Sequence, residues 1–248
     1  MFDGADFLGV RFQVARLPIV NRGPDLSDGQ RRTVRRIYSL LGENVLESAQ
    51  KNSWKNTFAP VAAGNPHVQV VTFPSAPTWD NHPLAADLFD LQQPDILHIT
   101  CHGPGESQEP RTFWTLNERQ PAEARIDKAL VGELGGVLGD AKTLVFGNAC
   151  TSVEANVDAL SISGFGSEFF KQGALAFIGT FAPVSKAVAV EFAQEFYTRL
   201  LAGQGMAVGK ALCETKQHFR RKVGQNDPSY LFYCLHGPPE SQFALATG

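Results

Sequence analysis

Two short stretches, DILHITCHG over 95–103 and LVFGNACTS over 144–152, are apolar or β-branched at nearly every position and then break into small polar residues. Runs of this length predict strands buried on both faces, the pattern of a parallel sheet. Around them the period switches back and forth. Residues 8–20 alternate about Val10, Phe12 and Val14 and predict a strand with one buried face, and the Gly, Pro and Asp of 21–29 predict a loop. From 30 to 58 the spacing predicts helix, split near Gly42, with Arg31, Arg32, Arg35 and Arg36 on its solvated surface. HVQVVTF over 67–73 predicts the next strand and 84–91 a short helix.

After Gly103 the segment 104–125 has no apolar period apart from Phe113 and Trp114, so it predicts a long loop or hairpin above the sheet edge. A helix over 126–138 leads into the strand over 142–148, and 151–163 reads as loop. Beyond lie a helix (164–171), a strand (174–180), two helices (186–202 and 206–221) and a last strand (230–235). Strands alternating with helices predict an α/β fold whose central sheet, mainly parallel, is covered on both faces. The 248 residues are read as one domain, with 1–66 its less clearly patterned part.

Composition narrows the function classes. A formal charge of −3 gives no basic excess, so direct nucleic-acid binding is not expected. The longest weakly polar run, 174–184, is about half of the roughly 20 residues a membrane helix needs, and Pro183 interrupts it. The start, MFDGADFLGVRF, lacks the basic-then-apolar layout of a secretory signal, which makes a cytoplasmic location the expectation. Cys101, Cys150, Cys213 and Cys234 form no C-x-x-C pair and read as free thiols, with Cys213 and Cys234 as packing residues.

The carboxyl ends of neighbouring parallel strands meet at the crevice where ligands bind. There the two buried runs deliver His102, followed by Gly103, and Cys150, preceded by Asn148 and Ala149. A histidine with a pKa near 6.5 can take the proton of a nearby thiol, so the pair has the chemistry of a nucleophile and its base. Taken singly, each has a structural alternative: a buried small hydrophobe and a strand-end histidine. Gly103, with no side chain, would let a scissile carbonyl approach its N–H, and the N–H of Cys150 is the natural second oxyanion donor. Cys101, His102 and Cys150, with His98, could instead be read as zinc ligands, but consecutive residues on an extended strand point to opposite faces. No metal and no cofactor is expected. Gly164-Phe165-Gly166 lacks the third glycine of a dinucleotide fingerprint and reads as a helix N-cap turn.

HITCHG, LVFGNACTS, the stretch from GFGSEFFKQGALAFIGTFAPVSKAVAVEFAQEFYTRLL onward and DPSYLFYCLHGPPE together resemble the CHAT family of caspase-like peptidases, relatives of separase, gingipain, legumain and the metacaspases. The resemblance covers most of the chain from about Val68. It implies a caspase-like three-layer sandwich and a cysteine endopeptidase acting on a protein substrate, with Cys150 as nucleophile and His102 as general base and acid. Gly103 and Cys150 would form the oxyanion hole, and a dyad needs no third carboxylate. His102 lies 48 residues before Cys150, close to the roughly 50 of caspases. Metacaspases and clostripain-like relatives carry an Asp two residues before the cysteine that selects basic P1 side chains. Here that tentative substrate-binding position is Asn148, a neutral amide without that charge, and Thr151-Ser152 departs from the caspase motif.

The family also implies regulated activity, often in bacterial defence or cell death, with a separate sensor subunit, loop cleavage or self-association as the control. The segments 104–125 and 151–163 are the expected control loops, and Arg111, Arg119 and Arg125 the expected cleavage points of the first. The competing reading is a catalytically silent caspase-like interaction module. A small-molecule hydrolase is disfavoured by the lack of a G-x-S-x-G elbow.

Overall fold

The two runs that read as fully buried strands lie side by side in the middle of one sheet, next to the strand expected over 174–180. In the computed structural model, which describes residues 15–16, 30–46, 51–74, 93–101, 113–116, 125–139, 142–149, 156–158, 161–163, 165–223 and 227–247, the strands in chain order are β1 (Ala15–Arg16), β2 (Arg31–Val34), β3 (Arg36–Leu41), β4 (Gln69–Phe73), β5 (Ile96–Thr100), β6 (Phe113–Thr115), β7 (Arg125–Asp127), β8 (Leu144–Asn148), β9 (Asn156–Asp158), β10 (Ser161–Ser163), β11 (Ala176–Thr180), β12 (Tyr233–His236) and β13 (Gln242–Leu245). The helices are α1 (Glu43–Leu46), α2 (Lys51–Lys55), α3 (Ala59–Gly64), α4 (Lys128–Glu133), α5 (Gly135–Leu138), α6 (Phe165–Lys171), α7 (Lys186–Leu200) and α8 (Val208–Val223), with a 3₁₀ turn over Pro228–Phe232.

The main sheet has the order β1-β12-β11-β8-β5-β3-β4. From β4 to β11 every pair is parallel, and β12 runs antiparallel to β11. Each of β5, β8 and β11 is buried along its whole length, as a strand covered on both faces must be. One face packs on α7 and α8 through Phe146, Ile178, Phe192, Phe196, Tyr197 and Phe219. The other packs on α4, α5 and α6 through Leu97, Val145, Val131, Leu138, Phe169 and Phe177. The result is the expected mixed, mostly parallel sheet between two helical layers. No helix among the described residues is long and apolar enough to cross a membrane.

The region 30–58 departs from expectation. Helix is present only from Glu43 onward, and the arginine-rich part is β2 and β3. The paired arginines mimic a polar helix face, but Ile37–Leu41 is a five-residue run buried throughout, which a central strand can satisfy and an amphipathic helix cannot. Asp95 fixes where β3 starts, its Oδ2 accepting from the Arg35 and Arg36 N–H groups at 2.7 and 3.0 Å. β2 belongs elsewhere: it pairs in parallel with β13, a strand the pattern does not predict.

The segment expected as a long loop or hairpin ends in a hairpin, and the one expected as a loop over 151–163 also contains strands. β6 pairs antiparallel with β7, and β9 with β10. Trp114 on β6 is fully buried, its ring 6.3 Å from Phe177 and 6.0 Å from Phe169. It lies over Gly147 of β8, where a Cβ would come within 2.7 Å of Trp114 Cη2. The glycine in LVFGN is therefore the seat of the hairpin's tryptophan. Gly173 (φ +94) lets the turn after α6 pass against Gly139, where a Cβ would meet Gly139 Cα at 2.3 Å. The last predicted strand begins as the 3₁₀ turn and becomes β12 only at Tyr233. The short helix over 84–91, and all of the 8–20 strand except β1, fall outside the described residues.

Candidate active site

The carboxyl ends of β3, β5 and β8 finish level. The register pairs Leu41 with Thr100 and Thr100 with Asn148, so one row crosses three strands at this edge. The ladder runs one residue further on the β3 side, where the Gly42 N–H donates to Thr100 O at 2.7 Å. His102 and Cys150 are the second residues beyond Thr100 and Asn148. Both, and Gly103, lie outside the described residues.

The floor beneath that row is polar on the α7 side. Strand alternation turns His98, Thr100 and Asn148 toward α7 and Cys101 and Ala149 toward the α6 layer. His98 Nδ1 is 3.1 Å from the Tyr197 hydroxyl, and its Nε2 is 2.7 Å from Thr100 Oγ1. Complete burial depresses the His98 pKa from 6.5 to about 3, so the ring is neutral at physiological pH, and burial raises that of Tyr197. Both ring nitrogens of His98, considered above as a zinc ligand, are thus engaged by hydroxyls. Among the described residues no group of His, Cys, Asp and Glu is arranged to hold a metal ion.

Asn148 is 6% exposed. Its Oδ1 accepts from the Tyr233 hydroxyl at 2.8 Å and its Nδ2 donates to the Ala189 carbonyl of α7 at 3.1 Å. The amide is held from two sides, and among the described residues these two bonds leave it a lone pair and an N–H. Tyr233 is itself stacked on Phe192, with ring centroids 3.9 Å apart and planes at 5°. Ala149 is held through its carbonyl, which accepts from Thr180 Oγ1 at 2.7 Å. α7 begins beside this edge with Ser185 as its N-cap, Oγ accepting from the Val188 N–H.

Two features of the edge escape the sequence pattern. Glu43, 3% exposed, is the second residue beyond Leu41 and brings a carboxyl group to the same edge, with its N–H donating to Leu116 O at 2.7 Å. An acid at the start of a supposed helix surface gives no sign of burial; the strand ending in Leu-Gly-Glu is the signal that could have found it. Phe181, just after β11, is 44% exposed, with its ring 5.1 Å from that of Phe232. It gives the edge an apolar rim. Cys213 is buried on α8, where burial raises its thiol pKa, and it and the half-buried Cys234 lie outside the Leu41–Thr100–Asn148 row.

Comparison with known proteins agrees with this architecture. The sequence model of a family described as CHAT domain matches residues 31–233. No curated protein matches the sequence. Among solved structures, separase of Saccharomyces cerevisiae in its complex with securin superposes with a TM-score of 0.57 and 14% identity, over 88% of this chain and 13% of that one. The Arg-specific cysteine proteinase gingipain R superposes with a TM-score of 0.60 and 11% identity, over 85% of this chain and 49% of that one. The chain thus spans less than half of either, and at these identities the likeness is one of fold.

Proposed function

The chain belongs to the CHAT domain family and has a caspase-like fold, and from that premise we propose that it is a cysteine endopeptidase acting on a protein substrate. The observation that carries the reading is the register of β5 and β8, whose ends are level at Thr100 and Asn148, two residues before His102 and Cys150. Neighbouring strands lie about 4.8 Å apart, within reach for two side chains extending from one row.

His102 takes the Cys150 proton, and the thiolate sulfur bonds to the scissile carbonyl carbon while the carbonyl pair moves onto oxygen. Collapse of that oxyanion breaks the C–N bond, with His102 returning its proton to the leaving amine. Water activated by the same imidazole then hydrolyses the thioester. The N–H groups of Gly103 and Cys150 hold the oxyanion, each donor typically supplying about 3 kcal/mol. No step uses a metal or cofactor. Asn148 is the P1-side candidate: its spare N–H and lone pair suit a neutral or polar P1 side chain better than an arginine.

Activity is under control, in keeping with a protease of bacterial defence or cell-death signalling in the cytoplasm, with a sensor subunit or a second protease as activator. The burial of Trp114 and Leu116 and the Arg125–Asp127 ion pair at 2.9 Å support cleavage at Arg111 or Arg119 rather than at Arg125.

The test is identification of new protein N-termini in lysate given the wild-type chain, Cys150→Ala, His102→Ala or Cys101→Ala, each with and without the products of neighbouring genes. The first two variants lose cleavage while keeping a native melting profile, and Cys101→Ala retains it. The same new N-termini from Cys150→Ala, in preparations free of other proteases, would sink the mechanism.

A further inference from the structure

A lysine is buried on α8 with no carboxylate bonded to it among the described residues. Lys216 is 7% exposed, and its amine has one hydrogen bond there, donated to the Leu231 carbonyl at 3.5 Å. An ammonium carries three N–H donors, so one long bond leaves the charge poorly compensated. Burial lowers the Lys216 pKa from the usual lysine value, and the groups that oppose this are two thiols, Cys234 first and then Cys213. Cys213 lies three residues earlier on α8, a spacing that puts both side chains on one helix face. Cys234 lies on β12, three residues after the Leu231 carbonyl that anchors the amine.

The two thiols have different surroundings. Cys213 is 7% exposed, and burial raises its pKa in spite of Lys216, with Glu214 adding to the rise. Its sulfur also accepts from Gln217 Nε2 at 3.6 Å. Cys234 is half-buried, and of the two it acts more strongly on the lysine. Attraction between opposite charges needs no direct contact where burial lowers the dielectric response. A thiol beside a cation is the more reactive one, because the thiolate is the nucleophile.

We propose that Cys234 is a modification site for small disulfides, with Lys216 as the buried cation that favours its thiolate. The Cys234 sulfur bonds to one sulfur of the disulfide, the S–S bond breaks, and the other half departs as a thiolate that takes up a proton. Cys234 is oxidised and the departing half is reduced, so the exchange needs no further reactant. The proposal is independent of the peptidase reading and gives chemistry to a cysteine that the sequence pattern assigns to packing.

The full chain is treated with oxidised glutathione and, separately, with iodoacetamide in the presence of reduced glutathione as an internal standard. Peptide mass spectrometry follows Cys234 and Cys213 in the wild type and in Lys216→Met. Cys234 forms the mixed disulfide and Cys213 does not. In the wild type Cys234 is alkylated faster than the glutathione in the same tube, which exposure alone does not achieve. Lys216→Met slows that alkylation about fourfold: one unit of thiol pKa changes the thiolate about tenfold at neutral pH, and a more basic thiolate recovers about 2.5-fold of it. Alkylation of Cys234 no faster than that of glutathione overturns the proposal, and this comparison needs no variant to fold. So does the absence of the mixed disulfide, its formation at Cys213 instead, or an unchanged rate in Lys216→Met.

Discussion

At the carboxyl edge the two faces of the sheet are made of different chemistry. Toward α7, the last positions of β5 and β8 are His98, Thr100 and Asn148, tied to Tyr197, Tyr233 and the Ala189 carbonyl. Toward α6 they are Cys101, Val145, Gly147 and Ala149, covered by Trp114, Phe169 and Phe177. A buried polar group costs free energy unless it is bonded, whereas an apolar face is stabilised simply by area removed from water. Stability could have been had from apolar packing on both faces. The polar face adds direction: hydrogen bonds fix angles that packing leaves free. Counting two residues on from Thr100 and Asn148 gives His102 and Cys150, the pair proposed above as base and nucleophile. The apolar face should therefore dominate stability and the polar face should set the geometry of the edge.

The largest effect expected is on the apolar side. Trp114→Ala removes a fully buried indole that seats on Gly147 and lies near Phe169 and Phe177, and should cost about 3–5 kcal/mol in urea unfolding. The same change tests the proposed control segment, since β6 is part of it. A loss below about 1 kcal/mol, the level of a surface change, would show that the hairpin is peripheral and that the two faces do not divide the work in this way.

How much of this was legible before the structure follows from where each signal sits. β5, β8 and β11 were legible because a strand buried on both faces writes its identity locally, as an unbroken apolar run. His102 and Cys150 were singled out by the same reasoning, at the points where two such runs break. β3 carries the same kind of run, Ile37–Leu41, but the arginines before it imitate a helix face and hid it. Glu43 was hidden with it. β2 is paired with β13 some 200 residues away, a partnership with no local trace. The polar floor is harder still: nothing around Tyr197, Thr180 or Tyr233 tells that their hydroxyls meet His98, the Ala149 carbonyl and Asn148, because those pairs exist only once the layers have packed.

An intermediate effect belongs to His98 and sharpens the contrast through pH. Its pKa is about 3 in the folded protein because of burial, against 6.5 when exposed. Above pH 6.5 both states carry a neutral ring and the group adds no pH dependence. Below 6.5 the unfolded chain takes up a proton that the folded protein refuses, so stability falls by about 1.4 kcal/mol per pH unit until the folded ring titrates near pH 3. Urea midpoints measured from pH 7 down to 4 should therefore fall more steeply in the wild type than in His98→Asn, by the equivalent of one proton. Parallel slopes would mean that the ring is charged in the fold and that the polar face is not sealed from water.

The smallest effect is the most discriminating. Tyr233→Phe keeps the ring that stacks on Phe192 and removes only the hydroxyl that donates to Asn148 Oδ1. It should cost about 1–2 kcal/mol, the penalty of leaving a buried acceptor with one bond fewer. Asn148→Ala removes the acceptor and the bond to Ala189, and should cost more. If the two side chains form one unit that holds the end of β8, the double variant will be less destabilised than the sum, by a coupling of about 1 kcal/mol. Additive losses would mean that each group is satisfied independently and that the polar face is a set of separate bonds. Coupling makes a further demand on activity: Tyr233→Phe should lower kcat for whatever substrate the lysate experiment identifies and leave KM unchanged, since it frees the end of β8 without touching the bound peptide. A rise in KM with kcat unchanged would instead place Asn148 on the substrate, as a P1 contact whose aim Tyr233 sets.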